Sequence, residues 1–301
     1  TITGTAGNNT LLAGGSGNDI ITGGAGNDII TDGAGNDIID GGAGNDSITI
    51  TGGTDSITGG LGNDTFSFSD SGDIAATETV AGGDGTDTIF VTATDIILDA
   101  SFTLATSIEV VKGAAAAATV YAPNNLSADA GVTTITGGTA ADTFTPGSLF
   151  DTTALTVNAG GGATTVDDTI DASSYTGTIT IVEAGTSINN GDAWTGGTST
   201  SDVLSTSGVV NDLALVSAIE NYTVNADTTT SMTIVNANVA DGKTLTVDGT
   251  AITSATKVLT VDLALEEDGL NTVLGGAGND IITGSQSDLK DTLTGNAGND
   301  T

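Results

Sequence analysis

One apolar position returns every nine residues along the first part of the chain. Ile21, Ile30, Ile39, Ile48, Ile57 and Phe66 each follow, by two residues, an aspartate at 19, 28, 37, 46, 55 or 64. A surface helix needs an apolar residue every three or four positions, so this spacing excludes a helix. It suits a three-residue strand with one inward side chain, followed by a six-residue glycine turn. Two such units complete a coil of eighteen residues, which predicts two facing parallel sheets with turns along both edges: a solenoid. The count survives between Ile50 and Thr58, where the glycines decay, so geometry rather than composition is what repeats.

Between about Val91 and Leu270 the repeat fades into segments such as TGTITIVEAG and TKVLTVDLAL, which alternate Thr with Val, Ile or Leu at the strand period. Ser107-Ile108-Glu109-Val110 and Ala218-Ile219-Glu220-Asn221 sit in similar surroundings and read as a degenerate internal duplication, with decayed turns at Asp142 and Asp202. The expected fold is all-β. It has a parallel β-roll over 1–90, a Thr/Ala/Val-rich β-solenoid or β-sandwich over 91–270, and a second roll segment over 271–301.

Composition narrows the function. The 301 residues hold 45 glycines and 38 acidic against 4 basic side chains, for a formal charge of −34. Mostly aspartate, the acids suit tight turns and hard-cation ligation. Four scattered lysines and no arginine leave nucleic acid without phosphate partners. The longest apolar stretch, around Ala114 to Val120, is far shorter than the roughly 18 residues of a spanning helix, so no membrane insertion is expected. With no histidine there is neither an HExxH zinc site nor a Ser-His-Asp triad, and no G-x-S-x-G elbow occurs. An enzyme is not expected.

On an eighteen-residue coil, Asp19, Asp37 and Asp55 stack along one edge and Asp28, Asp46 and Asp64 along the other. Carboxylates at the strand spacing of about 4.8 Å repel unless a cation lies between them. Calcium takes 6–8 oxygens, and glycine turns can add backbone carbonyls to the two aspartates. The pairs 19/37, 28/46, 37/55 and 46/64 therefore predict four sandwiched sites, with carbonyls drawn from turn glycines such as Gly14, Gly23, Gly26, Gly35, Gly41, Gly44 and Gly62. The asparagines before the aspartates (Asn18, Asn27, Asn36, Asn45, Asn63) read as a structural hydrogen-bonded ladder.

Gly14–Thr22 (GGSGNDIIT), Gly23–Thr31 (GGAGNDIIT), Asp32–Asp40 (DGAGNDIID) and Gly41–Thr49 (GGAGNDSIT) resemble the RTX family, whose calcium-binding nonapeptide GGxGxDxUx forms a parallel β-roll. Further copies at Gly82–Phe90 (GGDGTDTIF), Gly275–Thr283 (GGAGNDIIT) and, more weakly, Gly137–Thr145 and Gly295–Thr301 bring Asp87, Asp280 and Asp300 into the expected ligand set. Asn9 replaces the acid in the first unit, and Gly284–Thr294 carries a two-residue insertion; both argue against calcium there.

The middle also resembles calcium-binding bacterial surface-layer proteins and RTX adhesins. The expectation is an extracellular structural protein of a surface layer or filament, folding and assembling on calcium. Its partner would be itself, in a homo-oligomeric lattice or filament, and any cell-surface polysaccharide would be met by parts outside this chain. Decayed or interrupted repeats at both ends suggest that the array continues or that subunits stack end to end. The resemblance implies type I secretion. The alternatives are the calcium-stiffened stalk of an adhesin and the calcium and secretion module of a secreted enzyme.

Overall fold

Ile21, Ile39 and Ile57 are direct register partners in adjacent parallel strands, and so are Ile30, Ile48 and Phe66 on the opposite sheet. All six are at most 2% exposed, which places the nine-residue apolar column in the core. A computed structural model of the chain describes every residue except 10, 69–77, 93–95, 99–104, 114–119, 123–130, 147–153, 161–166, 184–186, 189–191, 200, 207–208, 211–212, 214, 225, 236–237, 239–242, 268 and 287–288. Most of the alanine-rich stretch after Lys112 thus lies outside the described residues. The described residues contain no helix, and every pairing given for them is parallel. A β-sandwich requires antiparallel pairs, so the middle of the chain is coiled like the ends.

The chain forms two compact units, Thr1–Gly138 with Gly147–Thr152, and Thr139–Pro146 with Thr153–Thr301. This division follows contacts, whereas boundaries near 90 and 270 mark where the nonapeptide fades.

In the first unit, one sheet carries Ile20–Ala25, Ile38–Ala43, Ser56–Leu61, Thr79–Asp84 and Ala105–Thr106. The facing sheet carries Leu12–Ser16, Ile29–Ala34, Ser47–Ile50, Thr65–Phe68, Thr88–Val91 and Val110–Gly113. Many strands here are six residues long rather than the expected three. The parallel ladder runs on into the glycines, pairing Gly24 with Gly42 and Gly42 with Gly60, because the first half of each turn stacks on the turn of the next coil.

The second unit builds the same coil from less regular sequence. Ala154–Gly160, Thr178–Glu183, Val203–Thr206, Asn221–Val224, Thr244–Asp248, Leu270–Leu274 and Thr292–Thr294 line one face. Val157, Ile181, Leu204, Tyr222, Val247 and Val273 form its inward column, all at most 3% exposed. Opposite, Phe144, Ile170, Trp194 and Val216 stack in register.

Candidate calcium sites

Each turn aspartate points its carboxylate back toward the preceding coil. Oδ1 of Asp37 accepts the backbone N–H of Asp19 at 2.7 Å, and Oδ1 of Asp55 accepts that of Asp37 at 2.8 Å. On the other edge Asp46 accepts from Asp28, Asp64 from Asp46, and Asp87 from Asp64, at 2.7–2.8 Å. The asparagine ladder runs the opposite way: the side-chain oxygens of Asn18, Asn27 and Asn45 accept N–H from Asn36, Asn45 and Asn63 of the following coil. Two side-chain ladders of opposite sense thus fix the coil spacing at each turn.

The second oxygen of these carboxylates is the informative one. Oδ2 of Asp28, Asp37, Asp46, Asp64 and Asp87 is buried without a hydrogen-bond partner. An ionised oxygen left that way costs more than a single hydrogen bond contributes. Like charges about 5 Å apart add about 3 kcal/mol of repulsion per pair at an effective dielectric near 20. In the metal-free chain burial pushes the Asp64 pKa up to about 6, with Asp46 and Asp87 adding repulsion, and burial likewise raises Asp46 and Asp87.

Glycine at the first turn position keeps this space open. A Cβ on Gly23 would stand 2.6 Å from Asp28 Oδ2, and one on Gly41 would stand 2.5 Å from Asp46 Oδ2 and 2.7 Å from the Gly59 carbonyl oxygen. The fourth-position glycines serve the chain path instead: Gly26, Gly35, Gly44 and Gly62 have φ of 99–132°, which disfavours other residues. Orphaned carboxylate oxygens beside a backbone carbonyl, with no nitrogen or sulfur donor, make a hard-cation donor set of the kind calcium accepts. The residues fit the ion. Asp19, Asp28, Asp37, Asp46, Asp55, Asp64 and Asp87 would hold it, and the ion would supply the positive charge these stacks lack.

A family model described as the RTX calcium-binding nonapeptide repeat (4 copies) matches residues 1–16, 13–48, 50–74 and 267–301. The chain carries RTX calcium-binding repeats over these residues. It binds calcium. No curated protein and no solved structure matches it. Proteins with this repeat are typically secreted by bacteria.

The RTX ladder continues where the family model stops, through residues that the nonapeptide spacing misses. Glu109 Oε2 accepts the Asp87 N–H at 2.8 Å, and Glu220 Oε2 accepts the Asp202 N–H at 3.2 Å. The duplicated Ser-Ile-Glu and Ala-Ile-Glu segments are therefore degenerate turns in which glutamate stands for aspartate. Ser107 and Ala218 adopt φ of 53° and 54°, the left-handed conformation glycine supplies elsewhere. In the second unit Asp142 donates its N–H to Asp168, and Asp168 donates to Asp192. Burial pushes the Asp168 pKa up to about 7, with Asp142, Glu183 and Asp192 adding repulsion.

Other carboxylates are closed by protein donors. Asp202 takes the N–H of Ile179 on one oxygen and that of Gly197 on the other. Asp280 takes Leu259 and Gly276 N–H while its own N–H bonds Asp300 Oδ1 at 2.9 Å, so the C-terminal copy repeats the ladder with a filled Oδ2. Asp291, in the inserted repeat, receives Ser285 N–H and O–H together with Asn271 N–H groups; burial raises its pKa, and these bonds more than offset that and lower it. At the other end the Asn9 side-chain nitrogen donates to Asp28 at 2.7 Å and to the Gly23 carbonyl at 3.2 Å. An amide occupies the position where an acid would face an ion.

Proposed function

We propose that this chain is an extracellular structural protein of a bacterial surface layer or surface filament, in which calcium drives both folding and assembly. The observation that carries the reading is the column of buried, partnerless Oδ2 atoms on Asp28, Asp46, Asp64 and Asp87. Such a column makes the ion a component of the fold rather than a passenger on it. The same electrostatics makes assembly calcium-dependent: copies with a formal charge of −34 repel one another until cations are bound. In a calcium-poor cytoplasm the chain stays loosely folded and export-competent. Outside the cell, sites of the extracellular class fill at about 10⁻⁴–10⁻³ M calcium.

A polypeptide without histidine or cysteine has few routes to hydrolytic or redox chemistry, which supports a non-enzymatic role. The second reading is a calcium-stiffened adhesin stalk, favoured by the same ladder if chains do not associate. Electron microscopy and light scattering of the purified chain during a calcium titration separate them. Ordered sheets or filaments that dissolve in chelator support the surface-structure reading, and a monomer at every calcium concentration removes it.

A further inference from the structure

Where the turns that start at Gly14, Gly23, Gly41, Gly59 and Gly82 have glycine at the first position, the turn Asp32–Asp37 holds aspartate. That residue belongs to the column Gly14, Asp32, Ile50, Phe68 and Val91, which changes from glycine to large apolar side chains along the coils. Asp32 is 0% exposed. Its Oδ1 accepts the Gly33 N–H and the Thr51 hydroxyl, the latter at 3.0 Å, and its two oxygens share the Thr51 N–H at 3.0 Å each. The carboxylate thus reaches across to the next coil, and Oδ2 holds only that shared bond. There the turn Ile50–Asp55 has Ile50 and Thr51 at the two positions where the regular turns have glycines.

One carboxylate oxygen from each of Asp32, Asp37 and Asp55 lies within 4.8 Å of the other two, and all three residues are buried. Oxygens that share an ion at 2.3–2.6 Å can be no more than about 5 Å apart. Asp37 is 1% exposed and its Oδ2 has no partner, so the cluster contains a buried oxygen still lacking a positive group.

We infer that Asp32, Asp37 and Asp55 form a three-carboxylate calcium site, one negative charge richer than the two-carboxylate sites, that holds its ion most tightly. Ligand charge and rigidity set affinity among oxygen sites, and here Asp32 compensates for the decayed turn that follows. The inference rests on the calcium-driven folding proposed above.

The test is release of calcium from the fully loaded chain into excess fluorescent chelator, followed by stopped flow. Wild type should show a slowest phase of about one ion per chain, at least tenfold slower than the rest. In Asp32→Gly, which restores the usual turn residue, and in Asp32→Asn, which keeps the size and the Thr51 contact, that phase should merge with the others while circular dichroism in saturating calcium is unchanged. Identical slow phases in wild type and both variants would overturn the inference and leave calcium-driven folding intact, and tighter retention in Asp32→Gly would show that Asp32 fills the cage. A wild type that releases no calcium would instead remove the folding proposal.

Discussion

Between Ile20 and Val91 the acid ladder steps by 18 or 23 residues and leaves a buried oxygen of most carboxylates without a protein donor. In the second unit the steps are 26, 24, 18 and 20 residues, and Asp202, Asp280 and Asp291 take N–H groups on both oxygens. The ladder is the same, but its charge is met differently. In the first unit the glycine turns leave the second oxygen without a donor, whereas in the second unit backbone amides reach it, even at Asp280, whose turn repeats the Gly23–Asp28 sequence. On the proposed function the first region depends on the ion for its stability, whereas in the second the polypeptide supplies much of the compensation itself.

Removing ladder acids should expose that contrast most strongly. Asp46→Ala takes a charged ligand from the 28/46 and 46/64 sites and should raise the calcium midpoint of folding about tenfold, read by far-UV circular dichroism. Asp37→Ala, which touches 19/37 and 37/55, should behave similarly, and Asp19→Ala, serving one site, should shift it less. Equal midpoints for Asp37→Ala and Asp19→Ala would contradict the stacking register. Asp291→Asn, at a carboxylate closed by Ser285 and Asn271, should leave the midpoint unmoved.

Next in size are the two cores. Phe66→Ala and Trp194→Ala each empty a fully buried position and should cost about 3–5 kcal/mol in denaturant unfolding. Only the Phe66→Ala loss should be offset by raising calcium, because its neighbours are the ion-closed turns.

Acid should partly replace calcium. The pKa of Asp32 and Asp64 is about 6 in the folded, metal-free chain against an ordinary 3.8, and that of Asp168 is about 7. The folded state therefore binds more protons than the unfolded state between these values. This contribution is complete below pH 3.8 and is lost as pH rises through 6 and 7. In chelator, urea midpoints should fall from pH 4 to pH 7.5. A rise over that range would contradict the burial of these carboxyls.

The smallest expected effect is at a degenerate turn. Ser107→Gly relieves a left-handed conformation and should stabilise the first unit by up to about 1 kcal/mol, measured as a shift in thermal midpoint. The equivalent Ala218→Gly should do the same in the second unit.

These regions also differ in how far they could be read from sequence. The roll was legible through Phe66 because a constant period puts Ile21, Ile30 and their successors in register with no gap to guess. It blurred after that because the step from Asp64 to Asp87 is 23 residues and later steps vary, so the stack survives while the period does not. The parallel course of the middle strands was hidden for the same reason, since alternating Thr and Val fits a solenoid and a sandwich equally well. Glu109 and Glu220 were visible as a duplication, but a ladder role for them needs the longer side chain to reach the amide of the preceding coil. Asp32 sat inside a recognised repeat, in a position the motif assigns to glycine, and only the fold brings it to Asp37 and Asp55. Asp168 and Asp192 have no motif around them at all.

The most direct test of calcium as a structural part of the first unit is amide hydrogen exchange by mass spectrometry, in saturating calcium and in chelator. Peptides spanning residues 20–91 should be protected with calcium and exchange freely without it, while peptides spanning residues 203–283 keep much of their protection. Equal protection of residues 20–91 in both conditions would contradict the account.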